Sequence, residues 1–265
     1  MFNRYASLTL ARTGLELKQF FRSRDSVIFT FLFPVIMLAI FGAVFNKEIA
    51  PGVTFTQYFT AGMVASGVAL ASFQSLALWI SQEREDGTLK RLRGTPMPAA
   101  AYFLGKIGLV IVTCIAETAI LLAAGWMFFG LKLPSEPALW MRLGWLLALG
   151  SAAGTVLGIA FSSVPRSARS ASAVVVPVIL VLQFTSGVYF VYSTLPSWMQ
   201  HASSFFPLKW LAQGMRSVFL PAGAESWEAD KSWQTGQTAL VLAAWTLAGL
   251  LLCMKSFRWQ RRDAG

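Results

Sequence analysis

Residues 81–106 read SQEREDGTLKRLRGTPMPAAAYFLGK, the one dense block of mixed acids and bases in the chain, and it sits between two long apolar runs. Those runs, 56–80 and 107–129, each reach the ~20 residues that a helix needs to cross a bilayer. The block therefore reads as a water-side connection between two membrane spans. Four more apolar runs are found by working outward, at 26–45, 143–163, 171–192 and 237–254. Gly, Ser and Ala dilute the hydropathy of the fourth and fifth. Composition agrees: 55% of the 265 residues are hydrophobic and 13% charged, against roughly 25% charged in an average soluble domain. The fold class expected is an all-α polytopic membrane protein with six transmembrane helices in one domain, 1–265. The first span is not expected to be a cleaved signal peptide, because its apolar core is too long and a 25-residue charged segment precedes it.

Lys and Arg set the expected orientation. Arg4, Arg12, Lys18, Arg22 and Arg24 precede the first span, and Arg84, Lys90, Arg91, Arg93 and Lys106 follow the second. Arg166 and Arg169 follow the fourth, and Lys255, Arg258, Arg261 and Arg262 end the chain. The opposite side has only Lys47, Lys132, Arg142, Lys209, Arg216 and Lys231. The bias puts both termini in the cytoplasm. It also accounts for the net charge of +10 through topology and anionic lipid, so no nucleic-acid partner is expected.

Motifs for catalysis are missing. There is no G-x-x-x-x-G-K-[ST] phosphate loop (LGKIG at 104–108 lacks its leading Gly and trailing hydroxyl), no H-E-x-x-H and no G-x-S-x-G. Cys114 and Cys253 lie inside spans without metal-ligand spacing, and His201 has no acid or Cys partner nearby. The chain is expected to be no enzyme, with no catalytic or metal residue and no cofactor of its own. Uphill movement of anything would draw on an ion gradient or on another subunit. The acid well inside a span is Glu117. Two readings stay open for it, a buried carboxyl satisfied by a neighbouring helix or a group lining a substrate or proton path.

Small residues recur at four-residue spacing, Gly150, Gly154 and Gly158 in the fourth span and Gly67, Ala71 and Ser75 in the second. They allow close helix approach, either within one chain or between subunits. Pro34 and Pro177 are expected to kink their spans. In residues 1–25, Ala6, Leu10, Thr13, Leu17, Phe20 and Phe21 share one helical face. Arg4, Arg12, Glu16, Lys18, Gln19 and Arg22 share the other, which predicts a basic amphipathic helix lying in the interface. Residues 193–236 are too apolar for a free loop. They predict two short helices at the outer interface, with Pro196 in a first turn and Thr194 as its cap.

Within the opening block, Glu83, Glu85 and Asp86 precede Lys90, Arg91 and Arg93, the charge order that suits one helix dipole. Asp86 and Lys90 are spaced to pair, Gly87 interrupts, and Thr95-Pro96-Met97-Pro98 stops the helix. This predicts a short, rigid, charged helix within 81–100.

EREDGTLKRLRGTPMPAAAYFLGK at 83–106 resembles the hallmark loop of the ABC-2 type permeases, membrane subunits of ATP-binding-cassette exporters. The likeness continues in LKQFFRSRDSVIFTFLFPVIMLAIFGAVF at 17–45 and SGVYFVYSTLPSWMQHASSFFPLKWLAQGMRSVFL at 186–220. It is nearer the daunorubicin-resistance type than the polysaccharide exporters. The resemblance implies that 1–25 is a connecting (elbow) helix and 81–100 a coupling helix that docks on a separate ATPase subunit. Glu83, Glu85, Gly87, Thr88, Lys90 and Arg91 would then contact the ATPase or brace the elbow helix. It implies a translocation path along the second and fifth spans, with Phe73, Gln74, Leu78, Val181, Phe184 and Thr185 as candidates beside Glu117. The implied partners are two copies of an ABC ATPase that bind ATP and Mg, a second permease subunit in a homodimer or related heterodimer, and the lipid bilayer. The expectation is a multidrug or lipid exporter of the bacterial cytoplasmic membrane. The alternatives are an ion-coupled secondary transporter using Glu117 and a non-transporting membrane scaffold.

Overall fold

The computed structural model describes residues 2–45, 48–50, 52–95 and 97–257. The expected contributions of Lys47, Pro96, Arg258, Arg261 and Arg262, and of the Arg4 side chain, lie outside what is described. Helix α1 spans Phe2–Arg22, α2 Arg24–Val44, α3 Phe55–Glu85, α4 Thr88–Arg93, α5 Ala99–Phe129 and α6 Pro137–Phe161. After them come α7 (Ala168–Thr185), α8 (Ser197–Ser204), α9 (Pro207–Phe219) and α10 (Thr235–Ser256). Six of these, α2, α3, α5, α6, α7 and α10, are long and apolar enough to cross a membrane, and the all-α polytopic class stands. The departure from it is a small antiparallel hairpin, β1 (Glu48–Ala50) with β2 (Val53–Thr54), ahead of α3.

Helix α3 is the axis of the bundle. Every residue from Thr56 to Val68 is buried, with α2, α5, α6 and α9 packed around it. Such a helix must be small as well as apolar. A Cβ on Gly62 would meet the Val188 carbonyl at 2.7 Å. On α6, Gly150 faces Leu211, Gly154 faces Ser72 and Gly158 lies against the Phe73 carbonyl. The glycine ladder thus packs within this chain, where close backbone approach replaces the missing hydrophobic force between helices in lipid. By contrast α2, α7 and α10 leave Ile36, Ile40, Val178, Val181, Leu247 and Leu251 exposed, an apolar surface suited to a bilayer.

Two spans contain a π-helical turn. In α2 it is Ile28–Leu32, just ahead of Pro34, whose missing N–H disturbs the hydrogen-bond ladder over the preceding turn. The second, Leu70–Gln74 in α3, has no proline to announce it. There the Ser75 hydroxyl donates to the Leu70 carbonyl at 2.9 Å. Pro177 is carried inside α7 without interrupting the helix.

Several spans differ from the sequence expectation at their ends. Helix α3 continues past residue 80 to Glu85, and α5 begins at Ala99 rather than 107. Helix α7 stops at Thr185 rather than 192, and Gly187 turns the chain at φ +72°. Thr194 does not cap α8. It sits in a 3₁₀ turn, Tyr192–Thr194, donating to the Val191 carbonyl at 2.8 Å, and Pro196 precedes the helix instead of starting it. Helix α9 does not lie on a surface: all residues from Leu208 to Phe219 are buried among α3, α6 and α10.

A Phe103–Phe257 ring contact at 4.9 Å places the end of α10 beside the start of α5. Helices α1 and α4 gather at this same end of the bundle.

Candidate functional site at the charged end of the bundle

The opening block is two helices, not one. Helix α3 carries Glu83, Arg84 and Glu85 as its last turn, Gly87 breaks the chain at φ +72°, and α4 holds the bases. The expected dipole order is therefore reversed for the acids, which sit at a helix C-terminus where carboxylates are disfavoured. Asp86 and Lys90 form no ion pair either; the Asp86 carboxylate accepts from the Gln82 amide at 3.2 Å. Tertiary partners offset the cost, and each of the three side chains takes a different one.

Glu83 joins a four-charge cluster. It accepts from Lys106 Nζ at 2.6 Å and from the Tyr102 hydroxyl at 2.6 Å. Lys106 also donates to Glu16 at 2.8 Å, and Arg12 pairs with Glu16 at 2.5 Å. Lys106 and Glu16 are 1% and 2% exposed. Two bases and two acids balance, and the Tyr102 and Trp79 rings flank the cations at 5.4–5.8 Å. Helix α1 reaches the cluster because α5 is notched: a Cβ on Gly105 would strike Arg12, and one on Gly108 would meet Thr13 at 2.5 Å. Arg12 and Glu16, expected on the solvent face of α1, are thus its buried face together with Phe20. Leu10 and Phe21, read on its apolar face, are exposed, as suits a face turned to the interface. An amphipathicity count sorts apolar from polar, and here the protein-facing stripe is ionic.

Arg84 turns the other way, donating to the Ser162 carbonyl at 2.6 Å and hydroxyl at 3.1 Å. It is a cation on the C-terminus of α6, the favoured polarity, and Ser81 adds a bond to the same carbonyl at 3.0 Å. Glu85 accepts the backbone N–H of Ala168, the first residue of α7. That is a carboxylate on a helix N-terminus, also favourable, beside the Ser167/Ser170 capping box. One turn of α3 therefore grips α1 and α5, α6, and α7.

Helix α4 hangs from this turn. Leu89 is fully buried and anchors it, while Lys90, Arg91 and Arg93 are exposed. Arg91 reaches back to the Asp86 carbonyl and the Thr88 hydroxyl, both at 3.4 Å. Of the six coupling candidates, Glu83 and Glu85 face inward, Gly87 and Thr88 form the joint, and Lys90 and Arg91 point out. Arg12, Glu16, Arg84, Tyr102, Lys106 and Ser162 complete the arrangement and are not among the coupling candidates read from the sequence. Lys106 had a signal, a base set inside the first turns of an apolar helix.

The translocation candidates divide among three surroundings. Phe73 lines an apolar cavity of ≈ 410 Å³ with Gly154, Leu182, Leu211 and Trp245. Gln74, Leu78 and Glu117 line a separate cavity between α2 and α3. Val181 and Phe184 lie on the exposed face of α7, with Thr185 half-buried beside them. What α7 sends inward is Gln183, which donates to Ser66 Oγ at 2.5 Å.

At the far end, Arg216 of α9 is fully buried and pairs with both oxygens of Glu228, at 2.5 and 3.0 Å. Burial works against its charge, but Glu228 and Tyr58 outweigh it and hold the guanidinium above its ordinary pKa. Burial pushes Lys209 down to about 8; its ammonium donates to Gln213 at 2.6 Å and lies 3.7 Å from the Trp210 ring centre. His201 is exposed and bonds its own helix at the Ser197 carbonyl, 2.7 Å away.

A family model described as ABC-2 type transporter matches residues 9–220. The chain is also similar to YvfS of Bacillus subtilis (strain 168), which carries the provisional name of a transport permease. The two are 22% identical over 245 residues, covering 89% of this chain and 91% of that protein.

Proposed function

The chain belongs to the ABC-2 type transporter family, and from that premise we propose that it is the permease subunit of an ATP-driven exporter. It carries a hydrophobic drug or lipid-like molecule outward, with energy from a separate ATPase subunit that holds ATP and Mg. One observation supports this best: the last turn of α3 grips four helices while α4, hung from it, keeps its cations exposed. A push on α4 is then passed to the spans instead of being lost in a slack loop. In this reading Glu83 and Glu85 brace the lever, Gly87 and Thr88 form its joint, and Lys90 and Arg91 meet the ATPase. Two such permeases and two ATPases make the working unit, seated in the bacterial cytoplasmic membrane with both termini inside.

The test is co-reconstitution in liposomes with an ABC ATPase subunit, using a fluorescent anthracycline and a fluorescent phospholipid analogue as probes. Movement of either probe that requires both proteins and ATP is expected. Glu85→Ala is expected to keep ATP hydrolysis while losing transport. The ion-coupled reading rests on the burial of Glu117. Transport by this chain alone under a proton gradient, abolished by Glu117→Gln, would establish that reading and overturn ours.

A further inference from the structure

The cavity between α2 and α3, ≈ 260 Å³, is built unlike the rest of the membrane interior. It opens beside the exposed Asp25 and the half-buried Trp79 at the charged end of the bundle and leads inward to Glu117. The two π turns found among the described residues border it, Phe29 and Thr30 from one, Leu70, Ala71 and Gln74 from the other. Such turns widen a helix locally and recur at functional sites.

Glu117 enters the cavity because Gly67 has no side chain; a Cβ there would collide with the carboxyl. The residue is 3% exposed, and its Oε1 has no hydrogen-bond partner among the described residues. Buried polar groups inside a membrane are costly and are normally paired. Here none of the described residues supplies that pair. No Lys or Arg lines the cavity, and the buried ammonium of Lys106 is committed to Glu16 and Glu83. The cavity gives a partner from outside the chain access to this carboxyl.

Its chemistry follows from the walls. Carboxylates stand at the mouth and at the inner end, with Phe29, Trp79, Leu70 and Leu78 among the residues between them. A hard metal ion wants about six or more oxygens converging on one point, several of them carboxylate, and no group of three or more His, Cys, Asp or Glu that could hold a metal occurs among the described residues. An ammonium needs one carboxylate and gains from aromatic faces. The volume is below the ~300–1,000 Å³ of sites that enclose a drug-sized molecule, so a headgroup enters and an apolar body rests on the exposed side of α2 at Phe29 and Leu32.

We propose that this cavity is a binding site for a cationic amphiphile, a protonated amine carried on an apolar body, with Glu117 pairing the ammonium. The inference rests on the exporter reading insofar as the amphiphile is cargo.

Binding is measured by equilibrium dialysis of the purified full chain in lipid nanodiscs, without ATPase, using radiolabelled dodecylammonium and dodecanol. The amine is expected to bind saturably and about tenfold or more tighter than the alcohol, the preference of a paired over an unpaired charge at low effective dielectric. Glu117→Gln is expected to bring the two to parity. Equal binding of both to the wild type, or an unchanged preference in Glu117→Gln, would overturn the proposal. A second readout needs no variant. Dodecylammonium, but not dodecanol, is expected to protect Glu117 from modification by dicyclohexylcarbodiimide, read by peptide mass. Equal modification with and without the amine would also overturn it, the cavity then holding only a protonated acid. Amine binding without ATP-driven transport would leave this site standing and remove the exporter reading.

Discussion

Lys106 is the side chain on which the charged end turns. At 1% exposure it is bonded to two carboxylates from two other helices. Removing one partner of a buried ion cluster leaves the rest uncompensated, at about 3–5 kcal/mol. Lys106→Met is therefore expected to lower thermal stability in detergent by that order, followed by tryptophan fluorescence. Glu16→Gln added to it should recover part, with a coupling of about 1 kcal/mol or more. A Lys106→Met protein as stable as the wild type would remove the cluster from the account. Lys209, outside the six spans, makes the opposite case. Its folded pKa, pushed down to about 8 by burial, lies below the unfolded value near 10.4, so the unfolded state binds more protons between them. Stability is expected to rise as pH climbs from about 8 towards 10, by up to about 3 kcal/mol, and Lys209→Met should flatten that slope.

At the scale of the helix, the last turn of α3 and the joint after it separate two kinds of constraint. Gly87 has open space around its Cβ position but φ +72°. Size is thus no obstacle, and only backbone strain is. Gly87→Ala is expected to cost about 1–2 kcal/mol, and Gly87→Asn less, because Asn tolerates the left-handed region. Equal costs for the two would show that the joint relaxes to another conformation. This joint also explains what the sequence could and could not disclose. The spans were legible, since an apolar run of bilayer length has one solution in lipid, and so was a charged helix between the second and third. The reading of acids and bases as one dipole-ordered helix fails because dipole logic within one helix assigns acids to its start. Glu83 and Glu85 instead answer to Lys106 and to the N–H of Ala168, residues 23 and 83 positions away. The inward turn of Arg12 and Glu16 escaped notice for the same reason, their partners being on α3 and α5.

For the whole molecule, the decisive property is an asymmetry between its faces. The sides offer exposed aliphatic residues on α2, α7 and α10, while one end offers Lys90, Arg91 and Arg93 on a helix anchored by the buried Leu89. Those three cations are exposed, and none is in an ion pair among the described residues. Exposed substitutions of this kind usually change stability by no more than about 0.5 kcal/mol. Complementary charge across an interface, however, governs encounter and specificity. Replacing Lys90 and Arg91 by Glu is therefore expected to leave thermal unfolding of the purified chain unchanged while reducing co-purification with an ABC ATPase subunit by about tenfold or more. The loss should deepen at low salt, where like charges repel over a longer distance. Leu89→Ala serves as the contrast, because it loosens the anchor and is expected to cost about 2–5 kcal/mol in the chain itself. If charge reversal left ATPase binding intact while Leu89→Ala abolished it, α4 would act through its packing rather than its charge. The exposed cations would then revert to setting the orientation of the chain in the membrane.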